Sequence, residues 1–327
     1  MGQDIQTAST LDILGRDVMV YDSSHWGLLA ISGNDRLRYL HNQSTNNFNA
    51  LQPGQGCDTV FVTSTARTID LVTAYVLETT VWLLVSPNRR QRLLDWMDRF
   101  IFPADQVDLK DITDQMAVFR ILGTGSQSLL STLGATITGA YGDHQTVTIA
   151  DVPCRLAIGS GLALPGYTLL TEIAYAPTLQ AALVAAGATM IDDRTWEFLR
   201  IHQGRPLPDA ELTEDYNPLE AGLWHTISFN KGCYIGQETI ARLNTYNGVK
   251  QHLWGIRLNR FVPAGTPLMV GDEKVGRLTS VATPETGGTW QGLAYVRTKA
   301  GGVGLVVQVG DAQGEIIDVP FLTRSPQ

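Results

Sequence analysis

Cysteine is scarce in this chain of 327 residues, where Cys57, Cys154 and Cys233 stand far apart. They form no C-x-x-C pair and no Cys/His cluster, which argues against a zinc or iron–sulfur site built from this chain alone. An odd number of scattered thiols also suits a reducing compartment. Basic charge is in short supply too: 24 Lys+Arg against 32 Asp+Glu leave a net charge of −8. Nucleic acid is therefore not expected as a partner, because phosphate binding draws on clustered cations, while a small anion in a local basic pocket remains compatible. Long apolar runs are missing, and no stretch approaches the roughly 20 residues of a membrane span. Met1 to Asp12 is polar, without the apolar stretch of a secretory signal or the Arg-rich character of a transit segment. The expected setting is a bacterial-type cytoplasm with no membrane partner.

At 44% hydrophobic and 17% charged residues, the chain has the composition of a globular protein, and its length exceeds one ordinary core. Trp26 to Ile31 reads as a strand, and Leu37 and Leu40 fall in a short helix with Ser32 or Asn34 as cap candidates. After the turn Pro53-Gly54-Gln55-Gly56, three strands follow over Thr59 to Thr63, Ile69 to Leu77 and Val81 to Ser86. Their connections are too short for helical crossovers, so the sheet is expected to be antiparallel. Ser86-Pro87 reads as a cap and first-turn proline before a helix bearing Leu93, Leu94, Met97, Phe100 and Ile101.

A strand over Ala117 to Leu122 and a helix through Leu129 and Leu130 lead into short strands at Thr146 to Ile149, Arg155 to Ile158 and Tyr167 to Thr171. Two helices come next: Ala174 to Ala186, and one capped by Asp192 or Asp193 that carries Trp196, Leu199 and Ile201. Strands first and helices later fit α+β rather than a doubly wound sheet. Gly204 to Gly222 reads as an ordered connector. Beyond Tyr246-Asn247-Gly248, evenly spaced short strands with Gly-rich turns predict a small β-barrel or sandwich.

The most chemically loaded stretch runs from Lys231 to Arg242, KGCYIGQETIAR. Gly232 and Gly236 free the backbone, and Gln237 to Leu243 is rich in helix formers, so a turn is expected to deliver the Cys233 thiol to a helix N-terminus. There the dipole, with Lys231 and Arg242, would favour thiolate. The alternative is that Cys233 fills a small apolar space. Its functional roles span a nucleophile, a single thiolate ligand to a shared cluster, and a redox-sensitive thiol.

The string Lys231-Gly232-Cys233-Tyr234-Ile235-Gly236-Gln237-Glu238, with Ala241-Arg242 after it, resembles the signature of the YgfZ family of folate-binding proteins, which includes a mitochondrial iron–sulfur assembly factor. That family is similar in turn to GcvT, the aminomethyltransferase of the glycine cleavage system. Asp22-Ser23-Ser24, the Gly33 helix start, Leu122-Gly123, Leu199-Arg200 and Pro218 to Leu223 each have a counterpart there. The resemblance implies an α+β, three-lobed ring: one lobe over 1–120, a second over 121–245 that interleaves with it, and a C-terminal barrel over 246–327. Tetrahydrofolate or a one-carbon derivative is implied at the centre of a monomer.

The implied function is assembly or repair of iron–sulfur proteins, with client or assembly proteins as partners and Cys233 as the reactive group. Lys231, Tyr234, Gln237, Glu238 and Arg242 are implied around the cofactor as members of the signature. Asp70 matches the first Asp of the Gly-Gly-x-x-Asp-Asp motif of aminomethyltransferases, with Ala66 and Arg67 in place of the glycines and Leu71 in place of the second Asp. By strand alternation Asp70 faces either solvent or the ring centre. Arg200 keeps the Arg of Leu-Arg-x-Glu-x-Gly and suits a glutamate-tailed ligand, while His202 replaces the Glu. Thr168 replaces an acid that holds the pterin. These departures weigh against ordinary aminomethyl transfer, which stays as the alternative beside a ligand-free scaffold. Two histidines, His202 and His225, do not make a metal site, and Trp224 reads as core.

Overall fold

A computed structural model describes residues 18–284 and 289–325; the polar stretch Met1 to Asp12 lies outside them. The first half holds strands β1 (Met19–Asp22), β2 (Gly27–Ser32), β3 (Gly56–Val62), β4 (Thr68–Val76), β5 (Thr80–Val85), β6 (Asp108–Asp111) and β7 (Met116–Leu122). Then come β8 (His144–Ile149), β9 (Val152–Ile158), β10 (Gly166–Glu172) and β11 (Thr189–Ile191). The remainder contributes β12 (Gln251–Leu258), β13 (Pro267–Val270), β14 (Glu273–Ala282), β15 (Trp290–Arg297), β16 (Val306–Val309) and β17 (Ala312–Ile317).

Strands β3-β4-β5-β2-β6 form one antiparallel sheet. A second sheet has the order β11-β1-β7-β10-β9-β8, and β12-β15-β14-β13-β16-β17 close into a barrel. The barrel resolves the barrel-or-sandwich alternative. β1 departs from a division at residue 120, since it pairs antiparallel with β7 and parallel with β11 in the second sheet. The first two lobes therefore interleave through their opening strand.

The two sheets face each other across a shared apolar layer, with Leu28, Tyr75 and Leu84 from one side and Met19, Val118 and Leu170 from the other. Helices cover the outer faces: Arg36–Gln43 and Arg90–Asp98 on the first sheet, Ser126–Thr132 and Ala176–Ala185 on the second. Because both faces of the first sheet are covered, β4 is buried along its whole length. Its sequence TIDLVTAYV accordingly reads as a near-continuous apolar run, as doubly buried strands do. The solvent-facing alternative for Asp70 is thereby corrected: β4 lies between β3 and β5, and Asp70 has no solvent face.

Two caps differ from expectation and one agrees. The first helix is preceded by Asp35, without a side-chain cap bond from Ser32 or Asn34. Ser86 makes no cap bond either, because its hydroxyl goes to Asp70. Asp192 does cap the Asp193–Gln203 helix, accepting from the Thr195 N–H at 2.9 Å.

Candidate functional site

The signature forms an exposed loop before the Gln237–Thr245 helix. Gly236 is the N-cap at φ +82°, a left-handed value that glycine meets without strain, and a Cβ there would lie 2.8 Å from the Thr63 carbonyl oxygen. Cys233 thus stands outside the first helical turn, and its side chain is exposed. The expected delivery of the thiol to the helix start is corrected, since Gly236 places the start three residues later. Cys57 is half-buried and Cys154 buried, and burial pushes both thiols up, Cys154 to about 11.

Lys231 anchors this loop. Its Nζ donates to the carbonyls of His41, Ser44 and Asn46 at 2.5, 2.7 and 2.7 Å and lies 4.6 Å from the Tyr234 ring centroid. Burial pushes the ammonium down to about 7, while three carbonyl acceptors work the other way by holding the charged form. Gln237 accepts from the Tyr234 N–H at 3.2 Å, which braces the turn, and Glu238 is exposed with Arg242 on the helix that follows. Tyr234 and Trp224 both pack in the small core under the loop. In this geometry Lys231, Tyr234 and Gln237 hold the loop in shape.

Asp70 is 0% exposed, and both its oxygens are engaged, Oδ2 by the Ser86 N–H at 2.9 Å and Oδ1 by the Ser86 hydroxyl at 2.7 Å. Burial pushes its carboxyl up to about 6, against the lowering effect of Ser86, Arg205 and Arg89. Arg200 is also fully committed. Its guanidinium donates to Glu197, to the Arg205 carbonyl, to Glu211 at 3.2 Å and to the Ser280 hydroxyl at 2.9 Å. Glu211 in turn accepts from Ser280 at 2.6 Å and from the Leu207 N–H. This buried node ties helix, connector and barrel together, leaving Arg200 no fork to offer a ligand.

The open cations lie elsewhere. Arg120 projects from β7 into the layer between the sheets, and Arg205 follows directly on the Gly204 C-cap of the Asp193–Gln203 helix. Each is 1% exposed. Their guanidinium carbons sit 4.4 and 5.4 Å from the Trp26 ring, and Arg120 also lies 5.2 Å from that of Trp196. Arg120 donates once, from Nη1 to the Ser160 carbonyl at 3.1 Å. Its Nε and Nη2, like Nε and Nη1 of Arg205, have no hydrogen-bond partner among the described residues. Burial and the nearby Arg205 charge hold Arg120 down to about 10.

Around this pair stand Tyr75, Asp58 and Tyr141. Asp58 accepts from Thr73 at 2.7 Å and from the Tyr141 hydroxyl at 2.8 Å, linking β3 and β4 to the loop before β8. His225 stacks edge-on against Phe321 and shares Thr323 at 3.0 Å, while His202 packs on Phe198, so both histidines serve packing. The sequence reading passed over Arg120 and Arg205. The legible signal for Arg120 was a single cation between Phe119 and Ile121 in an otherwise apolar strand.

Two facing sheets and a closed barrel around a cationic, aromatic-walled centre define a protein of the aminomethyltransferase-like fold class. A profile of the GCVT N-terminal domain matches residues 8–231, and the chain belongs to that family. It is 44% identical over 317 residues to a chloroplastic protein of Arabidopsis thaliana whose name assigns it provisionally to the transferases, covering 96% of this chain and 73% of that one. It is 28% identical over 311 residues to an aminomethyltransferase of Rubrobacter xylanophilus, with 93% and 83% coverage. The glycine cleavage system aminomethyltransferase T from Bartonella henselae superposes with a TM-score of 0.82 at 16% identity, covering 96% and 88%. The three-lobed α+β fold expected from the sequence is thus the fold observed. No helix among the described residues is long and apolar enough to cross a membrane.

Proposed function

We propose that this protein is a tetrahydrofolate-binding accessory factor for the assembly or repair of iron–sulfur proteins, acting in a reducing cytoplasm with Cys233 as its reactive group. The observation that carries the folate half is the centre between the sheets, where two buried guanidiniums with open N–H groups adjoin Trp26, Trp196 and Tyr75. An aromatic ligand with an anionic end fits that donor set, and folate is such a ligand. The exposed thiol supports the client half, since a protein surface can approach it directly. One thiolate does not hold a cluster of the usual kind, which needs four ligands, so the reading is thiol chemistry on a client or transient ligation of its cluster.

Calorimetric titration with tetrahydrofolate tests the first half: saturable binding is expected, and none at high micromolar concentration leaves a ligand-free scaffold as the better account. For the second half, Cys233→Ala is expected to keep the fold and folate affinity while client iron–sulfur enzymes lose activity in cells. Full complementation by that variant would remove the thiol's role.

A second reading, folate-dependent aminomethyl transfer, is favoured by the 28% identity to an aminomethyltransferase over 93% of the chain. The replaced motif around Asp70 and its closure by Ser86 count against it. Methylene-tetrahydrofolate formed from an aminomethyl-lipoyl carrier, and lost in Asp70→Asn, would favour this reading over the first.

A further inference from the structure

The Cys233 loop crosses the end of the Arg36–Gln43 helix and is tied to it on both sides of the thiol. Lys231 Nζ donates to the carbonyls of His41, Ser44 and Asn46, and the Ile235 N–H donates to the Asn42 carbonyl at 3.1 Å. Against Gly232, between those ties, lies the imidazole of His41, which is 6% exposed. A Cβ at Gly232 would stand 3.3 Å from His41 Nε2, so this nitrogen is aimed at the loop, and a residue without a side chain leaves it uncovered one position from Cys233. His41 Nδ1 is buried with no hydrogen-bond partner among the described residues. The buried Asn47 Oδ1, likewise unpartnered there, lies near enough to favour the charged ring. His144 and His252 also leave a ring nitrogen unpartnered, so that feature alone decides nothing. What sets His41 apart is its other nitrogen, turned to the loop of the exposed thiol. Burial and the Lys231 ammonium hold His41 below the ordinary imidazole value, so the ring is neutral at neutral pH and free to accept a proton. Lys231 is the charged group that acts on the ring, and Cys57 and Tyr234 stand next to Lys231.

We propose that His41 is the proton acceptor for Cys233, with Asn47 orienting the ring, and that the pair exchanges with a disulfide on an oxidised client protein. This rests on the reading of Cys233 as the reactive group. In the exchange the Cys233 S–H bond breaks and its proton passes to Nε2 while the sulfur attacks one sulfur of the client disulfide. A new S–S bond joins Cys233 to the client, the old one breaks, and the departing thiolate takes the proton from His41. No further oxidant is needed, since one disulfide replaces another. A cysteine, a histidine and a third group that steadies the ring are the parts of an activated thiol. No hydrogen bond joins Cys233 to His41 among the described residues, and such bonds are often long before a substrate arrives. Gly232 gives the loop apex the freedom to bring Sγ over Nε2, while Lys231 and Ile235 hold its two ends.

The test follows exchange of the native protein with a small neutral disulfide, 2,2′-dithiodipyridine, from about pH 5 to 9, with the modified peptide identified by mass spectrometry so that only Cys233 is counted. In wild type the rate is expected to hold level through neutral pH and to fall only below the usual imidazole range, as His41 becomes protonated. An unassisted thiol would instead gain about tenfold per pH unit up to about 8.5, and that profile in wild type overturns the pair without any variant having to fold. His41→Gln is expected to react about 100-fold more slowly near neutral pH, with the gap closing toward about pH 9 as solvent takes over the deprotonation. Lys231 is present in both proteins, so its charge does not enter the comparison. Equal rates, or one ratio at every pH, reduce His41 to a structural residue and overturn the proposal. The client role is read separately: loss of client activity in Cys233→Ala with a His41-independent exchange removes the pair and leaves the function standing. A His41-dependent exchange with full complementation by Cys233→Ala keeps the proton transfer and sinks the client.

Discussion

Asp70 carries a pH signature that can be worked out in sign. Burial raises its carboxyl from the usual 3.8 to about 6, so the folded state binds the proton more tightly than the unfolded chain. Its contribution is therefore fully present below 3.8 and is lost as pH rises through about 6, a loss of about 3 kcal/mol by about pH 8. Asn keeps an acceptor for the Ser86 N–H without the charge. Asp70→Asn is expected to melt above wild type at about pH 8, with the advantage vanishing toward about pH 4, as thermal melts across that range would show. A variant that melts lower at every pH would mean the carboxylate is held by more than Ser86. At this scale the sequence was partly legible. It marked Asp70 by its place in a motif, but whether an acid in a strand meets solvent, ligand or a neighbouring serine depends on the strand's position in the sheet.

The Lys231–Gln237 loop shows the same division at the scale of an element. Two glycines and a run of helix formers were enough to announce a turn followed by a helix, and the Gln237–Thr245 helix is there. What the loop rests on was not legible, because the acceptors for Lys231 are main-chain carbonyls of residues 41, 44 and 46, and any sequence supplies carbonyls. Lys231→Met is expected to cost about 1–3 kcal/mol, by orphaning those acceptors. Hydrogen exchange should quicken around 41–46 and 231–236 first, with the barrel unaffected. Uniform loss of protection would instead make the lysine part of the global core. Long periodic elements such as β4, β5 and the barrel strands were visible from pattern. Short or polar ones were not: β1 (MVYD), β6 (DLKD) and β11 (TMI) offer too few residues for a period, and exist because a neighbouring strand accepts them.

For the whole molecule, the decisive contacts join lobes. Arg200, Glu211 and Ser280 come from a helix, a connector and a barrel strand, and Ser280 sits at a bulge where β14 shifts register against β15. Tyr295 adds a bond from its hydroxyl to the Glu211 carbonyl at 2.8 Å and stacks on Tyr216. Removing one member strands the rest: Arg200→Ala leaves the buried Glu211 without its guanidinium partner, and is expected to cost about 3–5 kcal/mol in denaturant melts. A loss under about 1 kcal/mol would mean that water replaces the guanidinium there.

Composition and pattern determined the class of this protein: α+β lobes with a small all-β unit after them, barrel or sandwich, scattered thiols, no excess of cations, and one loaded loop around Cys233. Those properties are local, fixed by periodicity, turn residues and charge count along the chain. The tertiary structure decided which charges are spent and which are open. Arg200, prominent in the sequence, is consumed at a junction, whereas Arg120 and Arg205, inconspicuous and far apart in the chain, meet over Trp26 with donors unanswered among the described residues. Whether a buried cation has a partner depends on residues brought together from three lobes, and no single stretch of sequence contains them.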